Sequence, residues 1–385
     1  MTSRALRELS WLLRPAGGGL YLVSTGRAEQ RALQRRFYEA SSEEDVTERF
    51  LATLERLPSA RVVILGVPSD VGAGFRRGAN LGPQAIRSRL LDADPGYVEF
   101  CRAHDVVDVG DVFVVPQLLD DHMLSDAQLD RSRSALYPDV PPGERGSLPV
   151  SPLSIAERAL GRILELAPLA RPLLLGGDHS CAWPAVKALH DAGRRFCIVQ
   201  PDAHTDLLRE RLGVEMCFAT WTYHANELLG REQRVIQVGV RASQRPKEHW
   251  EGTLGVRQFW AEEIRAEPER ALERVLDAVR ATGLPAYFSN DIDGTDDSVA
   301  DACGTPEPEG LEPSWVNALI ARLGKEVGLV GADIMEVAPG LARHGSVATV
   351  ELAADYVRRT LDALLLSAPA PRPGVASELA PSRGL

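Results

Sequence analysis

Three short stretches of the chain gather histidine and aspartate at spacings suited to metal: Gly176-Gly177-Asp178-His179-Ser180, Asp202-Ala203-His204-Thr205-Asp206 and Asp291-Ile292-Asp293. His179, His204, Asp202, Asp206, Asp291 and Asp293 supply two imidazoles and four carboxylates. A donor set without thiolate suits Mn(II) or a similar ion rather than structural zinc. These six ligands exceed what one catalytic ion uses. The count fits if some carboxylates bridge two ions about 3.5–4 Å apart, the separation of two-metal hydrolytic sites. A water held between two cations loses a proton near neutral pH, so hydrolysis is the expected chemistry.

Each stretch follows a short apolar run. Leu173-Leu174-Leu175 leads into Gly176-Gly177, Phe196-Cys197-Ile198-Val199 into Gln200-Pro201-Asp202, and Ala286-Tyr287-Phe288-Ser289-Asn290 into Asp291. Continuous apolar runs of this length read as buried parallel strands, and open α/β sheets bind ligands at the carboxyl ends of such strands. Three loops from neighbouring strands then converge on one site. Helices are expected over Ile155–Leu166, Trp183–Ala192, Pro268–Thr282, Glu312–Leu323 and Val347–Leu366. The alternation predicts a three-layer α/β/α fold with a doubly wound, mainly parallel sheet. Gly176 and Gly177 are not followed by a Walker lysine, and they read as positions of close backbone approach.

With these motifs in order, the chain resembles the ureohydrolase (arginase and agmatinase) family. Gly66-Val67-Pro68, Gly78-Ala79-Asn80-Leu81-Gly82-Pro83-Gln84-Ala85-Ile86-Arg87 and Asp108-Val109-Gly110-Asp111 are similar to its amino-terminal segments. Gly304-Thr305-Pro306-Glu307-Pro308-Glu309-Gly310-Leu311 and Asp333-Ile334-Met335-Glu336-Val337-Ala338-Pro339 are similar to its carboxy-terminal signatures. The resemblance covers roughly residues 60 to 366 and is specific because several motifs recur in order.

The resemblance implies an arginase-like fold and a ligand assignment. His179, Asp202, Asp206 and Asp291 would hold one ion, and Asp202, His204, Asp291 and Asp293 the other, with Asp202 and Asp291 bridging. Mn(II) is the family expectation, and the same donors admit Ni(II). Glu336 would pair with a substrate guanidinium through a planar two-point contact. Asp206 would carry the proton from the attacking water to the leaving nitrogen. The implied reaction cleaves a C–N bond of a small guanidino compound (agmatine, a guanidino acid or guanidine) to urea and an amine. The alternatives are a formimino-acid hydrolase releasing formamide and a catalytically silent metal-binding relative. A deacetylase of similar sheet architecture is disfavoured by Glu336 and the Asp-Ala-His-Thr-Asp run.

Two departures from the family pattern bear on mechanism. Where relatives carry Ser-His-Gly after the metal loop, this chain reads Met216-Cys217-Phe218-Ala219, and Phe218 cannot carry a proton. His224, six residues later, is the residue available to substitute. After Asp293, Gly294-Thr295-Asp296-Asp297-Ser298 replaces an apolar pair followed by Asp-Pro. Its length up to Gly304 is kept, so a loop of altered shape is expected. Arg209 and Arg211, beyond Asp206, either read a carboxylate on a guanidino acid or are two solvated loop arginines.

Composition excludes other classes. The chain has 385 residues, 44% of them hydrophobic, a net charge of −11 and a pI near 5.3. That balance disfavours nucleic acid and an anionic membrane surface as partners. The five cysteines, an odd number at irregular spacing, read as reduced thiols of a cytoplasmic protein, and no apolar run is long enough to span a membrane. By resemblance the chain forms a homo-oligomer. Residues 1–60 read as an N-terminal helical extension with helices over Arg27–Glu39 and Ser42–Leu57, not a targeting segment, because Glu43-Glu44-Asp45 is acidic. Residues 61–366 read as one catalytic domain and 367–385 as a flexible tail rich in Pro, Ala and Ser. Tyr137-Pro138-Asp139-Val140-Pro141-Pro142-Gly143 reads as an exposed loop.

Overall fold

The computed structural model describes residues 3–367. The apolar runs form nine strands: β1 Leu13–Arg14, β2 Val62–Val67, β3 Val106–Val112, β4 Arg171–Gly176, β5 Cys197–Pro201, β6 Val235–Val240, β7 Arg257–Trp260, β8 Ala286–Asp291 and β9 Leu329–Met335. They make one sheet in the order β1-β3-β2-β4-β9-β8-β5-β6-β7. Every pairing is parallel except that of β1 with β3. Strands β2, β4, β5, β6, β8 and β9 are buried along their whole length, which explains continuous Val/Ile/Leu runs in place of polar alternation.

Helices cover the sheet in two rows. Gly82–Ala93, Ala348–Leu366, Pro313–Glu326 and Pro268–Ala281 pack side by side in one. Arg4–Leu12, Pro152–Leu166, Trp183–Asp191 and Trp221–Leu229 form the other. With the sheet between them this is the three-layer α/β/α architecture expected. Helix starts follow local chemistry: Pro313 and Pro268 occupy the first turn, where a missing N–H costs nothing, and Ser42 caps Glu43–Leu54 by accepting from the Asp45 N–H.

Strand order decides where the site lies. β4, β9, β8 and β5 are consecutive neighbours, so the segments leaving their carboxyl ends, which carry His179, Glu336, Asp291 and Asp202, emerge side by side. Gly176 and Gly177 make this approach feasible. A Cβ on Gly177 would lie 1.8 Å from the Ser69 carbonyl oxygen, and one on Gly176 would lie 1.9 Å from the Met335 sulfur. Both glycines are therefore the close-approach positions anticipated.

Residues ahead of β2 add more than helices. After helix Arg4–Leu12, β1 extends the sheet edge beside β3. A buried ion cluster sits behind that edge: Arg87 donates to Asp108 through Nε at 2.8 Å and Nη2 at 2.9 Å, and to Asp111 through Nη1 at 2.5 Å. Asp111 also accepts the Gly19 N–H at 3.2 Å, and Tyr38 Oη accepts the Ala16 N–H at 3.0 Å. The Gly19–Asp111 bond ties the extension to β3, and the Ala16–Tyr38 bond closes the extension on itself. The segment 137–143 is largely exposed, as expected, but is pinned at two points. Tyr137 and Val140 are buried, and the Tyr137 hydroxyl donates to the Pro149 carbonyl at 2.6 Å. Its prolines and glycine mark a turn, but its aromatic and aliphatic residues anchor it. The tail after Ser367 lies outside the described residues.

Candidate active site

The alternation of side chains along a strand places residues i and i+2 on one face. Asp202, two residues beyond Gln200, and Asp291, two beyond Ser289, therefore project with those partners. Asp202 is two-sided. Its Oδ2 lies 3.3 Å from His179 Nδ1, and its Oδ1 lies 3.6 Å from His204 Nδ1. His179 Nδ1 also stands 3.4 Å from Asp206 Oδ2 and 3.0 Å from Asp291 Oδ2. His204 Nδ1 is 3.2 Å from Asp293 Oδ2. Two groups of candidate ligand atoms result, His179/Asp202/Asp206 and Asp202/His204/Asp293, each with its atoms within 4.8 Å of one another. Asp291 adjoins the first and accepts the Asp293 N–H at 2.9 Å.

Burial makes this cluster demand positive charge. Burial pushes Asp206 up to about 7, with the neighbouring Asp202 carboxylate adding to the rise. Asp291 and Glu336 are driven well above the usual carboxylate range, by burial first and by nearby carboxylates second. His204 rises to about 12 although burial opposes it, because Asp293 and Asp202 favour its charged form. His179 is likewise raised against its burial by Asp202, Asp206 and Asp291. Carboxylates crowded out of water either hold protons or accept cations. Oxygen and imidazole donors of this kind fit a pair of hard or borderline divalent ions.

The supporting shell contains residues that the motifs alone did not single out. His179 Nε2 lies 3.0 Å from Ser289 Oγ, which in turn donates to Asp333 at 2.9 Å. Trp221 donates its indole N–H to Asp206 at 3.1 Å and lies tilted against the His179 ring, with centroids 4.7 Å apart. A ladder of buried amides ends on Asp202. Trp260 Nε1 donates to Gln258 at 2.9 Å, Gln258 to Gln237 at 2.8 Å, Gln237 to Gln200 at 3.0 Å, and Gln200 to Asp202 Oδ2 at 2.7 Å. The three glutamines are register partners across β5, β6 and β7. Three polar residues in otherwise apolar strands were the available sequence signal. Groups that orient ligands typically govern metal affinity by about 10–100-fold. Gln200→Leu is accordingly expected to weaken metal binding by roughly that factor, read by chelator competition. Unchanged affinity would make the ladder purely structural.

Glu336 and Asp206 both occupy left-handed backbone, with φ of 65° and 51°. Non-glycine residues held there cluster at functional sites. Glu336 Oε1 accepts the His179 N–H at 3.0 Å, and the Glu336 N–H donates to the Gly177 carbonyl at 2.8 Å. Glu336, Asp206, His204 and Thr305 open into one cavity of about 560 Å³, whose walls include Phe218, Arg211, Arg76, Arg245 and Trp250.

Two expected site residues are not brought there. Among the described residues, the lining of this cavity does not include His224 or Arg209. His224 Nε2 lies 3.0 Å from the Glu215 carbonyl and 3.2 Å from the Arg209 carbonyl, contacts in which it can only donate. Its position on helix Trp221–Leu229 turns it toward the 207–216 loop, so it does not replace the proton carrier missing at Phe218. The substituted loop 294–298 keeps order by its own bonds: Asp296 accepts from the Ser298 N–H at 3.0 Å and the Gly310 N–H at 2.8 Å. Arg241 donates to the carbonyls of Asp293 and Glu307 at 2.7 and 2.8 Å.

This arrangement, a mainly parallel α/β/α sheet with a His/Asp cluster at the carboxyl edge, is shared with known proteins. A sequence model described as "Arginase family" matches residues 60–362. The chain belongs to the arginase family. It is 30% identical to N(1)-aminopropylagmatine ureohydrolase of Thermus thermophilus over 293 residues, 76% of this chain and 88% of that protein. It is 30% identical to guanidinobutyrase of Pseudomonas aeruginosa over 310 residues, 75% of this chain and 85% of that protein. Among solved structures, proclavaminate amidino hydrolase from Streptomyces clavuligerus superposes with a TM-score of 0.61 at 27% identity, covering 80% of this chain and 92% of that one.

Proposed function

We propose that the chain hydrolyses the C–N bond of a small guanidino compound, releasing urea and an amine, with two divalent ions held by His179, Asp202, His204, Asp206, Asp291 and Asp293. The observation that carries this reading is Asp202: its two oxygens face two different histidines, while Glu336 lines one cavity with the neighbouring His204 and Asp206. When bound, the ions supply Lewis-acid polarisation and lower the pKa of water. Mn(II) is the ion expected, with Ni(II) admitted by the same donors.

The chain's own residues do the rest. Glu336, fixed through Oε1 by the His179 N–H, pairs with the guanidinium and orients its carbon toward the ligand cluster. Asp206, held by Trp221, receives the proton of the attacking water and returns it to the leaving nitrogen. Thr305 donates its hydroxyl to Asp293 at 3.1 Å and fixes that carboxylate from the cavity wall. Phe218 contributes no proton, and its ring lies beneath the Arg211 guanidinium. A cytoplasmic location and a homo-oligomer belong to the same proposal. The first is supported by five unpaired, buried cysteines. Among the described residues, no helix is long and apolar enough to cross a membrane.

Mass-spectrometric product analysis tests the reaction. Protein loaded separately with Mn(II) and Ni(II) is given agmatine, arginine, guanidinobutyrate, guanidinopropionate, guanidine and formiminoglutamate. Urea from one of them is the expected result. Formamide would select the formimino-acid hydrolase, and absence of turnover with two ions bound would select the catalytically silent relative.

A further inference from the structure

We propose that the mouth of the active-site cavity is an anion site that holds the carboxylate of a guanidino acid while its guanidinium rests on Glu336, selecting such acids against agmatine. The inference rests on the ureohydrolase reading and narrows it to one substrate class.

The cavity is electrically divided. Its lining combines the buried carboxyls Asp206 and Glu336 with the more exposed Arg76, Arg211 and Arg245. Each arginine comes from a different loop at the carboxyl edge of the sheet, following β2, β5 and β6 respectively. Among the described residues, none of the three meets a carboxylate at ion-pair distance, in a chain whose net charge is −11. Arg76 is half-buried, whereas Arg211 and Arg245 are exposed. Arg211 is held in place: its guanidinium lies over the Phe218 ring, 4.9 Å from the centroid. Phe218 thus supplies the π-face on which a cavity arginine rests.

A guanidinium fork matches a carboxylate in a planar two-point contact. A molecule cationic at one end and anionic at the other therefore matches both ends of this cavity. Agmatine, cationic at both ends, would bring its ammonium toward three guanidinium groups, which repel it. Trp250 and Phe75, also in the walls, offer apolar surface to the connecting methylenes.

Three guanidines of equal chain length separate the contributions: 4-guanidinobutyrate, agmatine and butylguanidine. Each is titrated calorimetrically into Mn(II)-loaded protein, with urea release followed in parallel. The acid is expected to bind at least about 10-fold more tightly than butylguanidine, as a charge-assisted hydrogen bond implies, with agmatine weakest. Arg76→Ala and Arg211→Ala should each narrow the gap between acid and butylguanidine. Phe218→Leu, which keeps an apolar side chain and removes the ring, should narrow it less. Agmatine binding as well as the acid, no selectivity among the three, or variants that weaken all three ligands equally would overturn the anion site. Absence of urea from every compound would overturn the ureohydrolase reading instead, and the binding order would still decide the anion site.

Discussion

Asp202→Ala is expected to strip the centre of metal and of activity together. Asp202 is the one carboxylate common to both groups of candidate ligand atoms, so its loss removes an oxygen from each side at once. The protein side chain is fully buried, and Gln200 and the His204 N–H donate to it at 2.7 and 2.6 Å. Alanine leaves those donors unsatisfied and the two histidines without the charge between them. If metal supplies several kcal/mol of transition-state stabilisation, turnover should fall by at least about 10³-fold, at roughly 1.4 kcal/mol per tenfold. Metal content of dialysed protein, measured by plasma mass spectrometry, should drop from two ions per chain to fewer than one. Retention of both ions in the variant would sink the bridging assignment.

Glu336→Gln should separate substrate binding from metal binding. The substitution conserves shape, and an amide oxygen can still accept the His179 N–H that fixes Glu336 Oε1. The left-handed backbone at this position is no worse for Gln than for Glu. What disappears is the negative charge facing the guanidinium. Truncating one partner of a desolvated ion pair typically costs about 2–5 kcal/mol, so kcat/KM should fall by between roughly 30-fold and several thousand-fold. Metal content should stay at two ions per chain. Unchanged kinetics would take Glu336 out of the substrate site, and lost metal would make it a ligand support instead.

Much of the frame was legible because its signals are local. Leu173–Leu175 predicts the centre of β4, and the structure extends it only to Arg171–Gly176. The helix expected over Ile155–Leu166 begins three residues earlier, at Pro152, where proline in the first turn conceals the start. The helices expected over Arg27–Glu39 and Ser42–Leu57 run from Arg27 to Phe37 and Glu43 to Leu54. By contrast, β1 is two residues long and exists only because β3 offers an open edge. No periodicity reveals such a strand.

Within the site, the His/Asp runs were legible because three strand ends present them in alternation. The residues that orient them were not. Gln200, Gln237 and Gln258 are distant in sequence and meet only through strand register, and Ser289 reaches His179 through the order β4-β9-β8. Arg76 and Arg245 belong to loops whose convergence depends on the same order. His224 illustrates the converse: proximity in sequence to Phe218 placed it near the metal loop, but its helix turns the imidazole to the Glu215 and Arg209 carbonyls.

The most direct test of the binuclear centre is a crystal of the Mn(II)-loaded protein measured at the manganese absorption edge. Two anomalous peaks about 3.5–4 Å apart, one against His179 and one against His204 with Asp202 between them, are the predicted result. A single peak, or peaks away from these side chains, would contradict it.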